Sequence, residues 1–159
     1  MFLNKRKILL LIIICSIFFL VTYYDVKSYD IKIIDGDTIH LNNEKIRFSG
    51  IDTPELKQTC NKNSEIIYCG IEARQLLINK IGKNKVHCVR KGKDQYKRTL
   101  AECFVNNLSL SRFLVREGYA FAYRKYSKKF INDENYAKKN NIGMWSMKFQ
   151  YPWDYRKNN

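Results

Sequence analysis

Apolar and polar residues alternate over the first half of the folded region, with the period of two that is typical of strands. Residues 29–34 and 38–41 are rich in isoleucine, and residues 45–52 continue the β-rich pattern. Residues 42–43 (NN) are a turn signal, and Gly50 predicts a bulge. The pattern therefore predicts a meander of three strands.

The period changes to that of a helix in three later segments. Apolar side chains recur at helical spacing over residues 71–81, and Gly82 stops the pattern. Residues 108–118 (LSLSRFLVREG) predict a second helix that begins after a serine, and residues 132–141 (NDENYAKKNN) predict a third. The C-terminal residues (YPWDYRKNN) have no comparable period, and we expect them to be irregular.

Two β-rich runs flank the polar residues 91–98 (KGKDQYKR) and predict a hairpin that turns near Gln95. Such a hairpin sets Cys88 opposite Cys103, the close approach that a disulfide requires. Cys60 and Cys69 flank a polar loop and form the second candidate pair. Zinc is the competing interpretation, and it is disfavoured because no C-x-x-C spacing is present.

Five strands with helices between and after them predict an α+β fold, a five-stranded OB-type β-barrel with three packed helices. We assign residues 28–148 to this domain and residues 149–159 to a C-terminal tail. Residues 1–27 are predicted to be a signal peptide or N-terminal membrane anchor.

The N-terminal prediction depends on an apolar run, residues 8–21 (ILLLIIICSIFFLV), that follows the basic residues 5–7 (KRK). The run is short of the roughly 20 residues that a spanning helix needs, which favours a signal peptide. The cleavage signal at residues 26–28 (VKS) is imperfect, so a membrane anchor through residues 8–21 stays an alternative. In both cases the domain is exported, to the periplasm or the extracellular space.

Composition excludes a disordered chain, because 45% of the 159 residues are hydrophobic. The chain has 29 Lys+Arg and 15 Asp+Glu, a net charge of +14, and +11 of it lies after residue 24. A domain this basic favours a polyanion such as nucleic acid. A solvated basic surface or an attraction to anionic lipid is the alternative.

Residues 35–55 (DGDTIHLNNEKIRFSGIDTPE) concentrate acidic residues in a predicted strand region. Asp35 and Asp37 share a face on a regular strand, and antiparallel pairing returns Asp52 beside Asp37. A divalent cation relieves the repulsion between such carboxylates, and oxygen ligands select Ca²⁺ or Mg²⁺. Thr53, held extended by the following proline, offers its carbonyl to the same ion.

Three further charged residues complete the candidate chemistry. The guanidinium groups of Arg47 and Arg98 match phosphate oxygens, and Glu55 is a candidate general base that activates water. For isolated residues, turn aspartates and surface ion pairs would be the preferred interpretation. The concentration of these charged residues in a basic domain favours a site for a metal ion and a phosphate.

The motifs together resemble the signature of the thermonuclease, or staphylococcal-nuclease-like, family. They are IDGDT (34–38), Arg47 five residues before DTPE (52–55), and DQYKR (94–98). The resemblance covers about residues 28–146 and continues through LVREG (114–118), AFAY (120–123), Glu134 and IGMWS (142–146).

The resemblance implies an OB-type barrel and a Ca²⁺-dependent phosphodiesterase that cleaves DNA and RNA. It implies calcium ligation by Asp37, Asp52 and the Thr53 carbonyl. It also implies phosphate binding by Arg47 and Arg98, with Glu55 as the base. The paired cysteines resemble exported bacterial branches of the family.

The match departs from the family at two positions beside a substrate-binding tyrosine, Tyr96. Gln95 stands where a lysine is common, and Lys97 stands where a glycine is usual before the arginine. Tyr123 matches a second tyrosine that contacts substrate.

We therefore predict a calcium-dependent, sugar-nonspecific nuclease with DNA and RNA as substrates. It is expected to be a monomer without a protein partner. One alternative is a membrane-tethered nucleic-acid-binding module without turnover, and another is a basic structural domain that contacts lipid or cell wall.

Overall fold

The structure is a computed structural model that describes residues 9–10, 12–16 and 29–158. The predicted cleavage site and most of the predicted signal peptide or anchor lie outside these residues. Residues 9–10 and 12–16 are helical and exposed. Among the described residues, no helix is both long and apolar enough to cross a membrane.

Within residues 29–158, ten short strands and four α-helices confirm the α+β class. The strands are β1 (Ile31–Ile33), β2 (Thr38–Leu41), β3 (Glu44–Phe48), β4 (Ile51–Asp52), β5 (Cys60–Lys62), β6 (Glu65–Ile67), β7 (His87–Lys93), β8 (Thr99–Val105), β9 (Leu108–Ser109) and β10 (Phe121–Ala122). The helices, numbered from residue 29 onward, are α1 (Cys69–Ile81), α2 (Leu110–Arg116), α3 (Ile131–Lys139) and α4 (Pro152–Asn158), with a 3₁₀ helix at Gly143–Ser146.

The main sheet has the order β1-β2-β3-β8-β7, and β9 pairs with β8. All of these neighbours are antiparallel except β3 and β8, which are parallel. Within residues 29–158 the ladder runs from β1 to β7 without closing on itself. The OB-type barrel therefore stays a prediction.

The meander β1-β2-β3 forms as predicted, and Asn42 and Asn43 make its turn with φ of +50° and +67°. The third strand is shorter than the predicted 45–52. It ends at Phe48, and Gly50 has a φ of +79°, which favours glycine. The chain then turns, so that β4 pairs with β10 and carries Asp52 away from the meander.

The main apolar core lies between the sheet and the helices α1 and α2. Its fully buried members include Ile39, Ile46, Leu77, Leu110 and Leu114. The predicted helix over 71–81 is α1, which ends before Gly82. The predicted second and third helices are α2, capped by the Ser109 side chain, and α3.

Both predicted disulfides are present. Cys88 of β7 lies directly opposite Cys103 of β8, as the hairpin symmetry predicts. Cys60 of β5 is bonded to Cys69 at the start of α1. The second bond ties the segment after β4 to the helix that supports the sheet.

The prediction of an irregular tail is wrong. Residues 152–158 form α4, and the segment before it packs onto the domain through an aromatic cluster around Phe121, which is fully buried. The rings that pack against Phe121 are Trp145, Phe149, Tyr151 and Trp153. Burial of several aromatic surfaces stabilises an ordered tail where composition alone indicated a solvated one.

Candidate active site

The guanidinium of Arg47 joins two buried carboxylates. Its Nη1 donates to Oδ1 of Asp37 and its Nη2 to Oδ1 of Asp52, each at 2.6 Å. The register of the sheet explains the first contact, because Arg47 in β3 lies opposite Thr38, the residue after Asp37. The bend at Gly50 explains the second, because it turns β4 so that Asp52 reaches the same group.

Asp37 is almost completely buried and its carboxylate is surrounded by donors. Oδ2 accepts the backbone N–H of Thr53 at 3.1 Å, and Oδ1 also accepts the Thr38 hydroxyl at 3.2 Å. Burial raises the pKa of Asp37 to about 7 against the opposing effect of Arg47, and the charges of Asp35 and Asp52 add to the rise. Burial is thus the main reason that the ionised form of Asp37 is disfavoured, and the two neighbouring carboxylates add to it.

Glu55 lies in the loop after β4, with its side chain 43% exposed. Two contacts fix this loop. The Glu55 backbone N–H donates to Gln58 Oε1 at 3.2 Å, and Gly70 at the start of α1 approaches so closely that an added Cβ would lie 1.8 Å from the Glu55 carbonyl oxygen. The loop thus presents a solvent-accessible carboxylate beside the buried pair.

A second arginine enters the same cluster from the C-terminal helix. Nη2 of Arg156 donates to Oδ2 of Asp52 at 2.7 Å, and its Nη1 donates to Oε1 of Glu55 at 2.7 Å. Burial opposes ionisation of this group, but the two carboxylates outweigh it and raise the pKa of Arg156 above its ordinary value. Sequence reasoning missed Arg156, because the tail that carries it was expected to be irregular.

Arg98 is engaged outside this cluster. It ends the loop between β7 and β8, and its Nε donates to Oδ2 of Asp94 at 2.7 Å. Its guanidinium also lies 5.3 Å from the ring centroid of Tyr96, whose side chain is exposed. Lys97, the residue that departs from the family pattern, has a φ of +62°, so the turn keeps the left-handed backbone that favours glycine.

Tyr123 follows β10 and belongs to the aromatic surface of the tail. It stacks on Trp153 with the ring planes 1° apart and the centroids separated by 5.8 Å. Together with Arg124, Lys125 and Lys157, these two rings line a pocket of about 320 Å³. An aromatic and cationic pocket has the character that nucleotide binding requires.

The donor set fits a hard divalent cation in charge and ligand type. Asp37 and Asp52 are buried carboxylates that share Arg47, and Asp52 also pairs with Arg156. Both offer the hard oxygen ligands that Ca²⁺ and Mg²⁺ prefer. Among the described residues, no group of three or more His, Cys, Asp or Glu side chains has the spacing of a metal site. A cation held here would take its other ligands from carbonyl, water or substrate oxygens.

Comparison with known proteins gives a family match. The family described as "Staphylococcal nuclease homologue" matches residues 45–147, which include Arg47, Asp52 and Glu55 of this site. The match covers more than half of the chain.

Several relatives have similar sequences. An "Uncharacterized endonuclease" of Haemophilus influenzae is 30% identical over 73% of this chain and 64% of its own length. The "Probable staphylococcal-like nuclease CAN3" of Oryza sativa is 30% identical over 87% of this chain and 35% of its own length. A "Micrococcal nuclease" of Shigella flexneri is 29% identical over 84% of this chain and 82% of its own length. The chain thus spans less than two thirds of the first two relatives.

Proposed function

The chain belongs to the staphylococcal nuclease family, and from that membership we propose that it is an exported, calcium-dependent, sugar-nonspecific nuclease. Its reaction is the hydrolysis of phosphodiester bonds in DNA and RNA. The same membership supports an OB-type barrel as the description of its sheet.

The observation that carries the proposal is the bridge from Arg47 to both buried aspartates. A module that only bound nucleic acid would gain nothing from carboxylates that face the phosphates. Here an arginine, two buried carboxylates and the accessible Glu55 are gathered at the ends of β2 and β4. These are the groups that in-line attack of water on phosphorus requires.

Each of the predicted site residues has a separate role in this reaction. Glu55 accepts a proton from the attacking water, since its carboxylate is accessible and its loop is fixed. Arg47 and Arg98 donate paired hydrogen bonds to phosphate oxygens, where charge increases in the transition state. Tyr96 and Tyr123 contact the substrate away from the reacting phosphate.

Asp37, Asp52 and the carbonyl of Thr53 are the ligands that we assign to Ca²⁺. When bound, the ion supplies positive charge that polarises a phosphoryl oxygen. The burial of these two carboxylates and their shared contact with Arg47 support this assignment.

Export is proposed from the two disulfides, which persist in oxidising compartments, and from the N-terminal apolar run. The basic charge of the domain, +11 after residue 24, supports nucleic acid as the substrate class.

The test is incubation of supercoiled plasmid and of RNA with the purified protein, in Ca²⁺ and in excess chelator. We expect both substrates to be cleaved in Ca²⁺ and spared in chelator. Binding of DNA without cleavage in either condition would instead favour a binding module, and neither binding nor cleavage would favour a structural domain. Glu55→Gln, which removes the proton acceptor and keeps its size, is the control against a contaminating nuclease.

A further inference from the structure

Arg156 occupies carboxylate oxygens that the proposed metal site requires. We propose that it is an intramolecular cation that competes with the divalent ion for Asp52, so that the C-terminal helix sets the metal affinity of the site. The inference rests on the proposed function, because it assumes that Asp52 is a metal ligand.

The contacts of Asp52 carry the proposal. Its side chain is fully buried, and its two oxygens accept three hydrogen bonds. One comes from Arg47 at 2.6 Å, and two come from Arg156 at 2.7 and 3.3 Å. A carboxylate offers about four lone-pair positions, so these hydrogen bonds occupy most of the positions at which Asp52 could bind a metal ion.

Arg156 also links the ligand to the base. Its Nη1 lies 2.7 Å from Oε1 of Glu55, so one guanidinium holds Asp52 and Glu55 together. A divalent ion on Asp52 and the guanidinium of Arg156 would be like charges on one carboxylate. Their repulsion makes the two occupants compete.

The tail is anchored independently of Arg156. The backbones of Asn61 and Lys148 exchange two hydrogen bonds of 2.8 Å, and Gln58 Nε2 donates to the Gln150 carbonyl at 2.6 Å. The ring of Trp153 packs edge-on against the buried ring of Phe121, with the centroids 6.1 Å apart. The helix can therefore stay docked while the Arg156 side chain, which is 38% exposed, leaves the carboxylates for solvent.

The contacts of Arg156 differ from those of Lys157, the other cation of the helix. Lys157, the next residue, pairs with Asp154 at 3.2 Å within the helix, and in the described part of the chain no ion pair joins it to Asp52 or Glu55. Loss of charge at residue 157 therefore measures the general electrostatic effect of the helix. Loss at residue 156 measures that effect together with direct competition.

The experiment is calorimetric titration of the full folded protein with CaCl₂, for the wild type and for Arg156→Gln, Arg156→Lys and Lys157→Gln. We expect Arg156→Gln to bind Ca²⁺ about three- to fivefold more tightly, the upper range for removing a partly exposed ion pair. Lys157→Gln should stay within about twofold of the wild type, because a surface charge is screened. Arg156→Lys keeps the charge but not the forked geometry, and its affinity should lie between those of wild type and Arg156→Gln.

A second measurement tests whether Ca²⁺ in turn displaces Arg156 from the carboxylates, which thermodynamic linkage requires if the two compete. The guanidinium NMR signals of Arg156, identified by their loss in Arg156→Gln, should shift on addition of Ca²⁺. Those of Arg90, paired with Glu44 on the surface, should not shift.

Two results would overturn the inference, and they are distinguishable. If the wild type binds Ca²⁺ and Arg156→Gln binds it equally or more weakly, competition is wrong while the proposed metal site stands. If none of the four proteins binds Ca²⁺, the proposed metal dependence fails and the inference fails with it.

Discussion

Arg47 of β3 forms an ion pair with Asp37, the residue before β2, with Nη1 of the guanidinium 2.6 Å from Oδ1 of the carboxylate. Asp37 is buried and Arg47 is largely so. A buried pair contributes little net stability, because both groups lose water. Its position beside Asp52 is therefore better explained by chemistry than by folding.

Substitution of either aspartate by asparagine should weaken calcium binding and leave the fold intact. Arg47 keeps one carboxylate partner in each variant, and one of the like charges that raise the pKa of Asp37 is removed in Asp52→Asn. We expect a loss of Ca²⁺ affinity on the order of tenfold or more, since one of two carboxylate ligands is lost. Calorimetry and thermal unfolding measure the two effects.

Asp30→Asn is the matched control, because it removes the same charge from an exposed position near the start of β1. Calcium binding that is undiminished in both Asp37→Asn and Asp52→Asn would mean that the metal site lies elsewhere.

Disulfide mapping tests the proposal that the protein is exported to an oxidising compartment. Peptides from protein recovered in its native compartment, separated without reductant, should contain Cys60 linked to Cys69 and Cys88 linked to Cys103. A paired Cys88→Ala and Cys103→Ala variant should lose about 3 kcal/mol of unfolding free energy, the value for a loop of this length. Free thiols at these four positions in the recovered protein would be incompatible with the proposed export.

Ionisation of Glu102 is expected to make the folding stability of the protein depend on pH in the acid range. Glu102 is buried, and it accepts hydrogen bonds from Lys129 at 2.5 and 2.8 Å and from Ser109 at 2.9 Å. Burial opposes ionisation, but these partners prevail and the pKa of Glu102 is lowered from its ordinary 4.5. A lowered folded-state pKa stabilises the fold above the unfolded value of about 4.5, and the contribution is lost as pH falls through the folded value.

The test is urea unfolding of wild type and Glu102→Gln from pH 7 to pH 3. We expect the variant to be less stable at pH 7 and the difference to shrink below pH 4.5. Glu65→Gln, at an exposed position in β6, is the control. A difference that stays constant across this range would contradict the assignment.

Much of the site was predictable because its residues lie close together in sequence. Asp37 and Arg47 lie at the β2-β3 hairpin, where the turn at Asn42-Asn43 fixes the register, and Asp52 follows only five residues after Arg47. The cysteine pair of β7 and β8 was predictable for the same reason, since a hairpin places residues equidistant from its turn opposite each other.

The C-terminal segment was not predictable by the same argument. Arg156 lies 104 residues from Asp52, and no local pattern relates them. A signal was nevertheless present, because Phe149, Tyr151 and Trp153 are spaced two apart and are too apolar for a solvated tail. The break of the third strand at Gly50 also depends on a distant partner, since β4 pairs with β10.

The arginines distinguish a catalyst from a binder. If Arg47 only attracted DNA, a lysine would preserve the charge and change little. If the guanidinium donates paired hydrogen bonds to an oxygen that gains charge in the transition state, lysine cannot replace it. Removing one such donor costs on the order of 10²–10³ in rate. Arg98→Lys should behave in the same way.

The most direct test is therefore to measure kcat and DNA affinity in parallel for Arg47→Lys, with Arg90→Lys as the control for the same exchange on the surface. DNA affinity is measured in Ca²⁺ with cleavage slowed by cold. We predict that Arg47→Lys lowers kcat at least about a hundredfold and leaves DNA affinity within roughly threefold, because the charge is retained. Arg90→Lys should change neither. A kcat for Arg47→Lys equal to that of the wild type would contradict the proposed catalytic role and favour a nucleic-acid-binding module.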